Sequence, residues 1–525
     1  MASRRLFATV VTVLLAILAI FYQQIPDIFS PAHSVKAVDT ARKITYLGSR
    51  SPAGIEHFQN IFYAEEPTGQ RRFAAPVPTN PARGSVIDAT RVGAWCPQKQ
   101  AIENCLSLMI ARPAELRKDA KLPVVAWIHG GGDALGSASD ILYEPDGLVK
   151  LAAAEGLPLV YVGINYWLGL TVIGQSVGAS DIGLHMTAIG GERDLPFQRA
   201  VMMSGGPGLN FNSQPDFVER HTSAIADQVG CSARTARPPF REEYFYPTID
   251  GDFIRERPSQ STCAGKLTKG IPLIASWVTN DGAWDASLST VTGTQVLESF
   301  GQWLPNLSAP TKEKLLQLYP VEDFSHMIRP EHSGHISAQY YRAAQLNRDI
   351  WFTCPALDFR WQYVRHNRGG GAAAASQVRL YEFNETRYTP VFASMGVSML
   401  GVAHLSDIPY LFNNDHLGAG ADNSDAQLAL ARNFSRSIVQ FVHGAAADDG
   451  LGFWPAAFCS DHDAISLSAR DTPGDISVQV FGGPYGSVPV RCAAKGAEKK
   501  ALDWERLFSR CAFINGGQFI EEAGV

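Results

Sequence analysis

The sequence predicts an α/β fold with a central, mostly parallel sheet flanked by helices. Three observations predict it. The stretches 124–128, 159–164, 200–203 and 271–278 are short and almost wholly apolar, as strands buried on both faces must be. Longer helical patterns separate them, and strands alternating with helices build a parallel sheet. No Pro/Gly/Ser-rich linker divides the chain after residue 40, so residues 31–525 read as one large domain behind an N-terminal segment, 1–30. Hydrophobic residues at 46% and charged residues at 18% exclude a disordered or coiled-coil chain. A net charge of -6 supplies no basic field, so nucleic acid is excluded as a main partner.

Arg4 and Arg5 precede an uncharged apolar run at 6–22, the form of a secretory signal. The run is about the minimum length for a membrane span. No small-x-small cleavage site follows it; Gln23, Gln24, Ile25 and Pro26 come instead. A cleaved signal and an uncleaved anchor therefore both stand, and the paired arginines place the body in the lumen in either case. Asn306, Asn384 and Asn433 each head an N-x-S/T sequon, in keeping with a secreted or lumenal glycoprotein. Eight cysteines are too few for a disulfide scaffold and enough for a few bridges.

Gly174-Gln175-Ser176-Val177-Gly178 is the one G-x-S-x-G in the chain. It follows a short apolar stub, Thr171-Val172-Ile173, and precedes a helical pattern. This is the strand–turn–helix setting of a strained turn that exposes a serine Oγ. Bulky residues two positions either side would clash, and the helix N-terminus favours developing negative charge. Upstream, His129-Gly130-Gly131-Gly132 follows the strand predicted at 124–128. A glycine run there lets backbone N–H groups point into a site, as an oxyanion hole requires. The two motifs in this order predict acyl-transfer chemistry.

With these residues in view, the chain resembles the type B carboxylesterase (cholinesterase-like) family of α/β-hydrolases. The resemblance runs from about Ile44 to Phe412. It rests on the motifs above together with Arg72-Phe73, Cys96-Pro97-Gln98, Ile164-Asn165-Tyr166, Met203-Ser204-Gly205 and the segment from Gly401 to Phe412. It implies an α/β-hydrolase fold, an ester-hydrolase activity and no cofactor or metal. It also supplies a catalytic set position by position: Ser176 as nucleophile, Asp281 in Asn280-Asp281-Gly282 as the acid, and His404 as the base. Ser176, Asp281, His404 is the α/β-hydrolase chain order. The implied oxyanion donors are the N–H groups of Gly131, Gly132 and Val177. Asp407 and Ser204 match positions beside the triad, where they would orient it or serve as ordinary core polars. The implied partner is a small-molecule or lipid ester. Trp127, Trp277 and Trp284 would line its pocket or simply pack the core. The resemblance further implies bridges Cys96–Cys105, Cys231–Cys263, and Cys354 with Cys459, Cys492 or Cys511. His326, His332 and His335 lack zinc-type spacing and read as a solvated loop, and Asp461-His462-Asp463 as a polar turn.

The chain departs from that family pattern in three places. Only Leu170, Thr171, Val172 and Ile173 separate Gly169 from the elbow, where the family carries a crossover helix. Parallel strands need a crossover of about a dozen residues, so the sheet is expected to be disrupted near the nucleophile. The Cys96–Cys105 interval and the stretch after Cys231 are also short. Skipped coding segments or a faulty gene model account for such losses, as does true evolutionary loss. An impaired or non-catalytic cholinesterase-like binding or adhesion protein is therefore the alternative to an esterase.

Overall fold

The computed structural model describes residues 35–525, except 72–73, 97–103, 115, 118, 134, 166–169, 209–246, 302, 333, 368–376, 415–422, 445–453, 459–475, 484–486 and 492–505. The expected signal or anchor segment, Arg72-Phe73, Cys231, Cys459, Cys492 and residues 461–463 lie outside the described residues. Among the described residues, no helix is long and apolar enough to cross a membrane.

Among the described residues, thirteen strands make one sheet: β1 (Val35–Asp39), β2 (Ile44–Arg50), β3 (Ile55–Phe62), β4 (Val86–Asp88), β5 (Ser107–Pro113), β6 (Val124–Ile128), β7 (Val160–Ile164), β8 (Leu170–Gln175), β9 (Phe197–Met203), β10 (Leu273–Val278), β11 (Val378–Phe383), β12 (Ser477–Phe481) and β13 (Ser487–Arg491). Their order is β1-β2-β3-β5-β7-β6-β8-β9-β10-β11-β12-β13, with β4 paired to β2. From β7 through β12 every neighbouring pair is parallel, and antiparallel strands close both sides. The expected mostly parallel sheet is thus present. Its centre is buried on both faces, which is why β10 reads as an unbroken apolar-rich run; β11 is buried throughout as well and takes Arg379 and Glu382 with it.

Period-two alternation splits each central strand between two cores. Val125, Trp127, Tyr161, Ile173, Val201 and Met203 pack on one face, against α1 (Asp146–Ala154) and α5 (Asp425–His443). Trp127 is fully buried there, with Phe412 edge-on at 5.0 Å and Tyr143 at 4.9 Å. Ile128, Val172, Ala200, Met202, Ala275 and Trp277 face the other core, under α2 (Val177–Thr187), α3 (Ala338–Arg348) and α4 (Cys354–His366). Trp127 and Trp277 are therefore core residues rather than pocket walls, while Trp284 is partly buried against Phe392.

The expected disruption beside the elbow is corrected by the register. β7 and β8 lie on the two edges of β6, both parallel to it, and β8 pairs with β9 from Leu170 to Gln175. The sheet is unbroken at this point. Ile164 is level with Ile128, and Thr171 is level with Val125. Two strand spacings across and three residues along separate them by about 14 Å. Seven extended residue steps reach about 23 Å. The return to the start of β8 therefore lies within chain reach without a crossover helix, and residues 170–175 themselves supply the elbow strand.

Two of the implied bridges are formed: Cys96–Cys105, and Cys354–Cys511 across 157 residues. The second ties the start of α4 to α6 (Leu507–Ile514), a helix near the end of the chain. Cys263 is half-buried, and its implied partner lies outside the described residues.

Candidate active site

The C-terminal ends of the parallel strands converge on one edge of the sheet, where open α/β sheets hold their sites. His129 directly follows β6, Ser176 follows β8, Ser204 follows β9, and Asp281 lies three residues beyond β10.

Ser176 sits between β8 and α2 with φ 58° and ψ −126°, a left-handed conformation that a non-glycine residue adopts only under strain. Its neighbours must be small. A Cβ on Gly174 would lie 2.2 Å from the Gly178 carbonyl oxygen, and one on Gly178 would lie 2.4 Å from that of Ile128. One on Gly205 would lie 2.2 Å from the carbonyl oxygen of Ser176 itself. The spacing read as an elbow is a steric requirement at both of its glycines, and Gly205 after β9 adds a third. The Ser176 N–H donates to the Met203 carbonyl at 2.9 Å, which ties the turn to β9.

The glycine loop after β6 packs directly on this turn. A Cβ on Gly130 would meet Ser176 Cβ at 2.8 Å. Gly131, Gly132 and Asp133 have φ of 128°, 62° and 56°. Val177 opens α2 with its N–H among the helix's unpaired first-turn donors. His129 is buried, and its Nδ1 donates to the Gly130 carbonyl at 2.8 Å; burial pushes its pKa down to about 4, so it is neutral.

Asp281 and His404 are brought together. His404 Nδ1 donates to Asp281 Oδ1 at 2.6 Å. Asp281 Oδ2 accepts from Ser204 Oγ and from the Val278 N–H, each at 2.8 Å. Asn280 stitches the two loops: its N–H donates to the Val402 carbonyl at 2.9 Å and its Nδ2 to that of Leu400 at 3.1 Å. Burial drives the His404 pKa down, but the hydrogen bond and charge of Asp281, with the charges of Asp285 and Asp407, outweigh it and leave the pKa raised. Asp407 is fully buried and takes a hydrogen bond from Tyr381 Oη at 2.9 Å; burial raises its pKa to about 7. Ser204 and Asp407 thus lie beside Asp281 and His404.

His404 Nε2 faces a residue that the sequence motifs did not single out. Gln175 Nε2 lies 3.0 Å from it, and no hydrogen bond joins Ser176 Oγ to His404 among the described residues. Gln175 is fully buried at the end of β8. The ring of Phe352 stacks on His404 with centroids 4.8 Å apart. Phe352 lies in the π-helical turn Asp349–Thr353 between α3 and α4. Such insertions often mark functional sites. Gln175 was visible as the middle of G-Q-S, but its reach to a histidine 229 residues away was not. Phe352 stands two residues before Cys354 without any local pattern to flag it.

His332 Nε2 is hydrogen-bonded to Ser398 Oγ, and His326 and His335 are exposed. Among the described residues, the one group with metal-ligand atoms within 4.8 Å of one another is His57, Glu144 and Asp146. It lies on β3 and beside the start of α1, and a 2.6 Å hydrogen bond between His57 Nε2 and Asp146 Oδ1 satisfies it in part. Asn306 and Asn433 are exposed. Asn384 is half-buried, and a Cβ on Gly483 would lie 2.4 Å from its Nδ2.

The model of the carboxylesterase family matches residues 45–171 and 236–473, more than half of the chain. The interval between the two matches carries the elbow. An inactive carboxylesterase-like protein of Byssochlamys spectabilis is 26% identical over 571 aligned residues, covering 91% of this chain and 93% of that protein. A secreted lipase of Arthroderma benhamiae is 26% identical, covering 92% of this chain and 95% of the lipase. Both alignments run longer than the chain's 525 residues, as internal shortening requires. The crystal structure of Aspergillus niger EstA superposes with a TM-score of 0.68 at 19% identity, covering 92% of this chain and all of EstA, and shares the fold. The chain belongs to the carboxylesterase family.

Proposed function

We propose that this chain is a carboxylic-ester hydrolase working through an acyl-enzyme. Ser176 is the nucleophile, His404 the general base and acid, and Asp281 the residue that fixes the imidazole tautomer. The observation that carries this reading is the 2.6 Å His404–Asp281 hydrogen bond beside a serine held in an elbow conformation. A carboxylate at Nδ1 leaves the Nε2 lone pair as the proton acceptor and stabilises the imidazolium that forms. The Ser176 Oγ attacks the ester carbonyl, the oxyanion gathers on the N–H groups of Gly131, Gly132 and Val177, and the alcohol leaves with the proton held by His404. Water, activated by the same base, then releases the acid. These steps require no metal or cofactor. Residues 31–525 would form one catalytic domain, reaching the lumen or the outside by the segment 1–30 as a cleaved signal or an anchor. The name of the secreted relative supports that route, and the sequons at Asn306, Asn384 and Asn433 agree with it. The substrate class is a small-molecule or lipid ester.

A second reading, an impaired or non-catalytic binding protein, is favoured by one observation: the His404 Nε2 partner is Gln175 and not Ser176. The similarity to a relative named inactive points the same way. Turnover of a p-nitrophenyl ester, lost on Ser176→Ala, together with labelling of Ser176 by a fluorophosphonate, is expected for the hydrolase. A folded protein showing neither would leave the binding reading.

A further inference from the structure

We propose that Gln175 is a positioning residue that caps the catalytic base: its carboxamide N–H occupies the His404 Nε2 lone pair that must accept the Ser176 proton. This rests on the hydrolase reading and refines the state in which its base is held. The observation is the 3.0 Å contact between Gln175 Nε2 and His404 Nε2.

The orientation of the amide follows from the partners. Asp281 Oδ1 can only accept, so the ring proton sits on Nδ1. Nε2 of the neutral imidazole is then an acceptor, and only the NH2 end of a carboxamide complements it. The other end agrees: Gln175 Oε1 is buried without a hydrogen-bond partner and lies where a Cβ on Gly130 would come within 2.4 Å. The side chain is wedged between the glycine loop and the histidine, with its acceptor unused and its donor spent on the base.

The effect on the reaction follows. A donor on Nε2 stabilises the neutral ring and opposes its protonation. The charged groups acting on His404 are Asp281 and Asp285 from the loop after β10 and Asp407 from its own segment, and all three favour the imidazolium. Phe352 covers one ring face without charge. Gln175 therefore acts against every charged neighbour. For Ser176 to transfer its proton, the amide must first withdraw from Nε2. The cap thus slows acylation by about the net worth of one hydrogen bond, roughly fivefold.

The test is Gln175→Met, of similar length and without a donor, alongside Gln175→Glu, which keeps the shape and places an acceptor on Nε2. Two readouts are taken on the full chain. One is the titration of the His404 ring resonances, assigned against His404→Asn. The other is the pH profile of the fluorophosphonate labelling rate of Ser176. The expected result is a His404 titration that moves up in the order wild type, Met, Glu. Labelling of the Met variant should be about fivefold faster than wild type well above the His404 midpoint, where the base is neutral in both proteins. If Gln175→Met does not fold, Gln175→Leu, which also lacks the donor and adds no charge, carries the test. An unchanged His404 titration in the folded variants would overturn the cap. An upward shift with no labelling of any protein supports the cap and overturns the hydrolase reading, so the two failures are distinct.

Discussion

Asp281 Oδ1 and His404 Nδ1 meet at 2.6 Å across 123 residues of chain, and Ser204 Oγ holds the second oxygen of the same carboxylate at 2.8 Å. The carboxylate is anchored at both oxygens and presents one fixed direction to the ring. Asp281→Asn keeps the shape but offers an amide N–H or a weaker acceptor to Nδ1, which favours the wrong tautomer. It is expected to lower kcat for a p-nitrophenyl ester by about 10⁴-fold with little change in KM. Ser204→Ala removes one of the anchoring hydrogen bonds, not the acid, and should lower kcat by roughly fivefold. Steady-state kinetics on the two variants separates these roles.

The acid limb of the activity profile should lie above pH 6.5, because the His404 pKa is raised by Asp281, Asp285 and Asp407 against the opposing effect of burial. Hydrolysis needs the neutral ring, so the rate rises with pH through that midpoint. Asp285→Asn removes one favouring charge and should move the limb to lower pH without changing the plateau. The stability contribution has the opposite sense. A histidine with a raised folded pKa contributes fully below pH 6.5 and loses that contribution as pH rises through the folded value. A kcat/KM profile of wild type and Asp285→Asn reads the first effect.

Asp407 makes a separate pH-dependent contribution. Its Oδ1 is buried without a hydrogen-bond partner, and burial raises its pKa from 3.8 to about 7. Between pH 4 and 7 the folded chain holds a proton that the unfolded chain has lost, so stability falls as pH rises, by on the order of 3–4 kcal/mol for this group. Asp407→Asn carries no such titration. It should be more stable than wild type at pH 8, and the difference should shrink toward pH 4. Thermal melting of both proteins across this range gives the comparison.

What was legible in the sequence was what short-range sterics and period impose. The elbow was readable because Gly174 and Gly178 have no room for a side chain, and the central strands because both of their faces are buried. The path from β7 to β8 is not legible in the same way. The short link was readable, but the register that places both strands on the edges of β6 is a long-range property. The partner of His404 Nε2 was hidden for the same reason. A glutamine in a five-residue motif carries no sign of which side chain it will meet 229 residues on. Phe352 depends on the π-helical turn that aims it, and that turn has no local signature.

The steric reading of the elbow makes a prediction that needs no activity at all. Gly178 and Gly206 both adopt backbone angles open to any residue, so alanine at either is free of left-handed strain, and space alone decides the outcome. At Gly178 the new Cβ would lie 2.4 Å from the Ile128 carbonyl oxygen and 2.7 Å from that of His129. Ile128 cannot yield, because β6 is hydrogen-bonded on both edges, to β7 and β8. At Gly206 the nearest atom would be 3.8 Å away, an ordinary contact. Gly178→Ala should therefore destabilise the protein by about 3 kcal/mol or more, while Gly206→Ala should stay within roughly 0.5 kcal/mol of wild type. Denaturant melts of the two variants measure the difference. Equal stability would mean that the turn around Ser176 is not packed against β6 in the folded chain, and the role proposed for Ser176 would lose the support on which it depends.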